Sequence, residues 1–377
     1  MTSRRGLLTG LGGAALLAAC SPGGGEPSSP APSGGGSTPV PSTPATSPAP
    51  ASPSTTPTGP ATVGKPVDVV TGLTSPWGLL VLDDESLLVS ERDTKLIKRI
   101  TDGKPATVTT VAQVSPNNEG GLLGIVLSPD KKWLYAYATT SRDNRVLRFS
   151  WSGSKVGDPE AVLTGIPFAT NHDGGRLAFG PDEMLYVSTG DATVRANAQD
   201  KASLAGKILR LTPEGKPAPG NPFDNEVWSY GHRNVQGLAW DDRGRMWASE
   251  FGNQTLDELN LIVKGGNYGW PEIEGDASTK QGMTNPVRVW GTDDASPSGL
   301  AYSHGSLWMA ALRGARLWEI PLSGDGTETP KAHFTGTYGR LRTVVGVDGG
   351  LLLTTSNTDG RGTVQDGDDR ILRIPLT

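Results

Sequence analysis

Residues 121–149 read GLLGIVLSPDKKWLYAYATTSRDNRVLRF. Three apolar runs, LLGIVL, WLYAYA and RVLRF, alternate with SPDKK and TTSRDN, clusters rich in Pro, Asp, Asn and Ser. Short apolar runs bounded by such residues are the pattern of β-strands joined by tight turns, and no helical apolar period is sustained. The stretch predicts consecutive antiparallel strands.

The same order recurs along the chain. PWGLLVLDDESLLVSERDTKLIKRI (76–100) precedes it. GGRLAFGPDEMLYVSTGD (174–191) with GKILRL (206–211) and NVQGLAWDDRGRMWASEFG (234–252) with DELNLI (257–262) follow. Then come PSGLAYSHGSLWMAALRGARLWEI (297–320) and RLRTVVGVDGGLLLTTSN (340–357) with DDRILRI (368–374). Each copy holds an inner strand, a turn with Asp or Gly, a second apolar strand ending in small or hydroxyl residues, and a third strand carrying Arg or Glu. Six copies, roughly 45 to 60 residues apart, predict an all-β, six-bladed β-propeller in which four-stranded antiparallel sheets stack around a central channel. A pair of β-sandwiches would have no reason to repeat one motif in this way. PVDVVTGL (66–73) is expected to join the last blade and close the ring, removing an exposed edge. Residues 65–377 then form one domain.

Composition narrows the function classes. The chain has 377 residues, a formal net charge of -5 and a single Cys. One Cys excludes an internal disulfide, and a weakly acidic chain lacks the basic face that nucleic acid demands. A single long apolar run, near the N-terminus, excludes a polytopic membrane protein.

That run belongs to an export signal. Residues 1–20, MTSRRGLLTGLGGAALLAAC, have a basic start, an apolar stretch and small residues before the cut. Arg4 and Arg5 fit a twin-arginine signal or the positive end of a Sec signal. Leu17-Ala18-Ala19-Cys20 resembles a bacterial lipobox, which would make a lipidated Cys20 the mature N-terminus and place the protein at the outer face of the cell membrane, held only by its lipid. Residues 21–64 are almost entirely Ser, Pro, Gly, Thr and Ala, with Glu26 the only charge, and are expected to form a disordered linker.

A propeller does not name a function, so the loops must decide. His172 stands in Asn171-His172-Asp173-Gly174-Gly175, just before an inner strand, where loops ring the channel mouth. A neutral imidazole there can take a proton from a substrate hydroxyl. Asp191 ends the next strand and is placed to accept the other ring N–H; a loop histidine capping a turn is the plainer reading. Arg233 and Asn234 precede the fourth inner strand, Arg340 and Arg342 the sixth, and Arg313 follows the second strand of the fifth copy. Arginines converging from separate blades repel one another unless an anion joins them, which suits a polycarboxylate or phosphate ligand; surface pairing with local Asp is the alternative. Ser249-Glu250-Phe251-Gly252-Asn253, followed by Asp257, Glu258 and Asn267-Tyr268-Gly269-Trp270-Pro271, offers carbonyls and carboxylates of the kind calcium prefers, without EF-hand spacing.

Together GGLLGIVLSPD, NHDGGRLAFGPD, GKILRL, GHRNVQGLAW, DELNLIVKGGNYGWP, SNTDGRG and DDRILRI resemble the soluble quinoprotein glucose dehydrogenase and aldose sugar dehydrogenase family, also called glucose/sorbosone dehydrogenases, over about residues 66–375. The resemblance implies pyrroloquinoline quinone (PQQ) at the channel mouth with calcium on the quinone. It implies His172 as general base with Asp191 orienting it, His172, Arg233 and Asn234 near the quinone, and Arg313, Arg340 and Arg342 on its carboxylates. The carbonyls of Gly252 and Asn253 match the quinone-bound calcium site; Glu258 and the carbonyl of Tyr268 match another metal site. The implied reaction is oxidation of an aldose at C1 to a lactone. Glu119 replaces a Gln that faces the cofactor in the glucose dehydrogenases, Arg313 replaces a Lys, and Thr343 replaces an Asp that would brace Arg342. The short connection from Asp191 to Gly206 implies an open mouth and broad aldose specificity. A propeller that only binds sugar or protein and a calcium-dependent lactonase are the alternatives. The electron acceptor is unspecified, and a monomer is favoured.

Overall fold

The computed structural model describes residues 61–276 and 280–377. The export signal, Cys20 and residues 21–60 of the expected linker lie outside the described residues. Strand β1 (Val67–Val70) comes first. The first blade is β2 (Pro76–Val81), β3 (Leu87–Glu91), β4 (Leu96–Thr101) and β5 (Lys104–Thr110), and the second is β6 (Leu122–Leu127), β7 (Trp133–Thr139), β8 (Asn144–Ser150) and β9 (Glu160–Ile166). The third is β10 (Leu177–Phe179), β11 (Leu185–Ser188), β12 (Lys207–Leu211) and β13 (Val227–Tyr230). The fourth is β14 (Val235–Trp240), β15 (Met246–Glu250), β16 (Leu256–Ile262) and β17 (Arg288–Gly291). The fifth is β18 (Pro297–Ser303), β19 (Ser306–Ala311) and β20 (Arg316–Ser323), whose outer neighbour is split into β21 (Gly326–Thr327) and β22 (Lys331–His333). The sixth is β23 (Leu341–Val347), β24 (Gly350–Thr355) and β25 (Ile371–Pro375).

All pairings within blades are antiparallel, and β1 completes the sixth sheet in the order β1-β25-β24-β23, with Val67 opposite Arg373. The ring closes as expected. The closure begins earlier than the expected linker boundary: the Thr62 N–H donates to the Thr377 carbonyl, Gly64 to Pro375, and Val63 bridges Leu376. The innermost strands β2, β6, β10, β14, β18 and β23 each touch the next, and β23 touches β2, so they form a closed circle.

Crowding at that circle explains a recurrent glycine. The third residue of β2, β6, β14 and β18 is Gly78, Gly124, Gly237 and Gly299. A Cβ on Gly124 would stand 2.4 Å from the Gly175 carbonyl oxygen of the next blade, and one on Gly78 would stand 2.8 Å from Ile125 N. In β23 the same place holds Thr343, whose hydroxyl donates to the Trp77 carbonyl. Farther out, the second strands are covered on both faces by neighbouring blades and read as continuous apolar runs, as in β19, buried throughout. Trp77, Trp247 and Trp308 are buried between blades among Leu, Val and Ile, each such aliphatic side chain contributing roughly 1.5–3 kcal/mol.

Candidate functional site

The loops that lead into the inner strands meet over one end of the channel, around a cavity of about 390 Å³. Five arginines (Arg233, Arg313, Arg340, Arg342 and Arg361) and two carboxylates (Glu119 and Asp257) line it, with His172 on its wall. The excess of cations marks it as a place for an anion.

His172 sits just before β10 in a left-handed conformation, φ 65°. Its Nδ1 lies 2.7 Å from Asp191 Oδ1. Asp191 is fully buried, and its other oxygen accepts the Trp270 indole N–H at 2.8 Å. Burial alone would raise the Asp191 carboxyl, but the bond to His172, together with those from Trp270 and the Thr193 N–H, holds it below the usual range. An ionised Asp191 keeps the proton on Nδ1, leaving Nε2 as the acceptor nitrogen. The sequence-predicted pair is therefore assembled.

Four of the five arginines divide into three kinds. Arg340 directs Nε and Nη2 at Asp359 Oδ2, each at 3.1 Å. Arg342 is nearly buried, 3.6 Å from the same oxygen, and donates to Gln236 Oε1 at 2.8 Å. Burial pulls its pKa down to about 9 although Asp359 works against this. Asp359, not the residue after the Arg-x-Arg pair, braces Arg342, which corrects the expectation drawn from Thr343. Arg233 makes no ion pair among the described residues; its guanidinium lies 5.5 Å from the Trp270 ring centre. Arg313 belongs to the rim, 63% exposed and paired with Asp293 at 2.8 Å.

Glu119 is neutralised by a residue that sequence reasoning missed. Arg361 Nη1 donates to Glu119 Oε1 at 2.9 Å, while Oε2 accepts the His172 backbone N–H at 2.8 Å. Arg361 lies in the quoted SNTDGRG stretch, and its arginine was the only available signal. Asn234 requires a correction. It is not on the cavity wall: it is fully buried, and its Oδ1 accepts the Gly174 N–H at 3.0 Å, fixing the loop that carries His172. Its Nδ2, like Arg233 Nε and Arg342 Nε, is buried with no partner.

Gly252 and Asn253 are on the wall. Glu274 Oε1 accepts the N–H groups of Asn253, Gln254, Thr255 and Leu256, and Asp257 Oδ1 accepts that of Gly252 at 2.9 Å. With the amides so engaged, the carbonyls of the turn are left for other partners. Glu258 and Tyr268 are not at this cavity. They border a separate space of about 10 Å³ with Glu250 and Glu274, large enough for one small ion or water. Burial and the neighbouring Glu250 push Glu258 up to about 8. Among the described residues no three His, Cys, Asp or Glu side chains cluster as a metal site, so carbonyls would have to supply much of any calcium shell.

Residues 73–372 match the family model for glucose/sorbosone dehydrogenases. The chain belongs to that family. Among glucose/sorbosone dehydrogenase relatives, the chain is 32% identical to the aldose sugar dehydrogenase of Escherichia coli over 345 residues, covering 80% of this chain and 92% of the relative. It is 33% identical to quinoprotein glucose dehydrogenase B of Acinetobacter calcoaceticus over 249 residues, 55% of this chain and 52% of that one. The PQQ-bound aldose sugar dehydrogenase of Streptomyces coelicolor superposes with a TM-score of 0.81 at 52% identity, covering 85% of this chain and 99% of that one.

Proposed function

We propose that this glucose/sorbosone dehydrogenase is a PQQ- and calcium-dependent oxidoreductase that oxidises aldoses at C1 to lactones. The observation that carries the reading is His172, held by the buried Asp191, on the wall of a cavity lined by five arginines. The Streptomyces relative, bound to PQQ, supports the cofactor.

The residues fit a polycarboxylate quinone. The cavity-lining donors Arg233 Nε and Arg342 Nε are buried without partners, and the arginines outnumber the carboxylates. Arg340 and Arg342 would hold its carboxylates, with Arg313 at the rim, and Arg233 would face the quinone. The carbonyls of Gly252 and Asn253 would hold calcium against it. When bound, the quinone supplies the hydride acceptor and calcium the polarisation of its carbonyl.

The chain supplies the proton chemistry. Nε2 of His172 takes the anomeric hydroxyl proton of the sugar as C1 gives up its hydride. Asp191 stabilises the imidazolium through Nδ1, and Trp270 keeps that carboxylate in place. Glu119, neutralised by Arg361, holds the His172 backbone without repelling the anion. Glu258 and the Tyr268 carbonyl form a candidate second cation site. The N-terminal signal and Cys20 support export and lipid anchoring at the outer face of the cell membrane.

The test is titration of the purified chain with PQQ in calcium, followed by absorbance, and dye reduction across a panel of aldoses. Saturable binding with sugar-dependent reduction is expected. No binding at micromolar PQQ would overturn the reading.

A further inference from the structure

Arg176 stands behind the cavity, in the channel, with no carboxylate. It precedes β10 and sends Nε to the Gln236 carbonyl at 2.8 Å and Nη2 to Thr343 Oγ1 at 3.1 Å. Its guanidinium covers the Trp77 ring at 4.2 Å from the centre, and Arg342 approaches the same ring at 5.8 Å. Gln236 joins the two arginines: its backbone carbonyl accepts from Arg176 and its side-chain oxygen from Arg342. Gln236 and Arg342 line the cavity, so Arg176 is one residue removed from it.

The charge carries an electrostatic cost in the free protein. Among the described residues Arg176 forms no ion pair, and Asp359 is shared between Arg340 and Arg342. Two guanidinium groups about one indole repel each other, the more so where burial limits solvent screening. Burial lowers the Arg176 pKa to about 9, which leaves it charged at neutral pH. A neutral side chain would fill the space with less repulsion. An anion in the cavity reverses the balance, since the field of a partly desolvated charge reaches beyond its contacts.

We propose that Arg176 is a positioning residue that strengthens binding of the cavity's carboxylate ligand through its charge, without touching that ligand. The inference rests on the cavity taking a polycarboxylate, as in the function proposed above. It assigns to the arginine of NHDGGRL a role separate from that of the neighbouring histidine.

The test uses the full chain and its R176M, R176Q and R176K variants, with PQQ in calcium and, separately, citrate as a chemically unrelated tricarboxylate. Dissociation constants and ligand-induced changes in Tm are measured at low and moderate salt. R176M and R176Q are expected to weaken binding by roughly tenfold and to reduce its salt dependence, with the ligand-free Tm unchanged or higher, while R176K stays within about threefold. Unchanged affinity in R176M and R176Q overturns the inference. So does failure of both variants to fold, because a charge placed for a ligand is dispensable to the ligand-free protein. A parent chain that binds citrate but not PQQ removes the quinone reading and leaves the arginine test to be decided on citrate. A parent that binds neither overturns both.

Discussion

Trp270 donates its indole N–H to Asp191 Oδ2 at 2.8 Å, on the opposite oxygen from the one that meets His172. A residue from the long loop after β16 thus holds a carboxylate at the end of the third blade, and its ring also lies against Arg233 and Arg195. The His172–Asp191 pair and the cationic wall share one aromatic side chain.

Trp270→Phe keeps the ring and removes the donor. A buried charged acceptor losing one hydrogen bond costs roughly 1–3 kcal/mol, and the carboxylate is freer to turn from His172. A lower Tm and a reduced kcat are expected, read by thermal unfolding and by dye-coupled sugar oxidation. Unchanged values for both would show that His172 and the Thr193 N–H fix Asp191 without Trp270.

His172→Asn tests the proposed base. Asn tolerates the left-handed backbone at this position, so the fold should persist. Loss of the proton acceptor should lower kcat by about 10²- to 10⁴-fold, with a much smaller change in PQQ affinity. Turnover at the parental rate would remove His172 from the mechanism.

Asp173 offers a test by pH. Burial raises its carboxyl to about 6, with one oxygen bonded to Asn144 at 2.9 Å and the other without a partner. A folded pKa above the unfolded value of about 3.9 means the native state holds the proton more tightly. Its contribution is fully present below about pH 4 and is lost as pH rises through about 6. Asp173→Asn should therefore match the parent near pH 4 and exceed it in Tm above about pH 6, in unfolding scans across that range.

Asp359 anchors two arginines. The Arg342 and Arg340 charges hold its carboxyl below the usual range against the effect of burial, so its stabilising contribution persists at neutral pH and is lost only as pH falls through that depressed value. Asp359→Asn leaves both guanidinium groups without this partner and should destabilise the ligand-free protein by about 3–5 kcal/mol. Citrate or PQQ should restore more Tm in the variant than in the parent. Equal shifts in both proteins would separate Asp359 from the anion site.

The blades were legible because strand alternation and turn chemistry are local. The repeated inner, second and third strands, and β1 joining the last blade, needed only runs of a few residues and the turns between them. The His172–Asp191 pair was legible for a related reason: each stands at a strand end of the same blade, so its position follows from the repeat. Arg340 and Arg342 were visible as cations leading into an inner strand.

Partners across the ring were not legible. Arg361 reaches Glu119 from 242 residues away, Trp270 reaches Asp191 from 79, and Arg176 reaches Thr343 from 167. Asn234 faces the His172 loop rather than the cavity, although it adjoins Arg233 in the chain. Sequence determined which residues lie at blade ends, since backbone hydrogen bonding and side-chain alternation act over a few residues. Tertiary structure decided which of those ends meet, because the stacking angle of six sheets sets the direction of each loop, and only in the closed ring do distant charges find the partners that neutralise them.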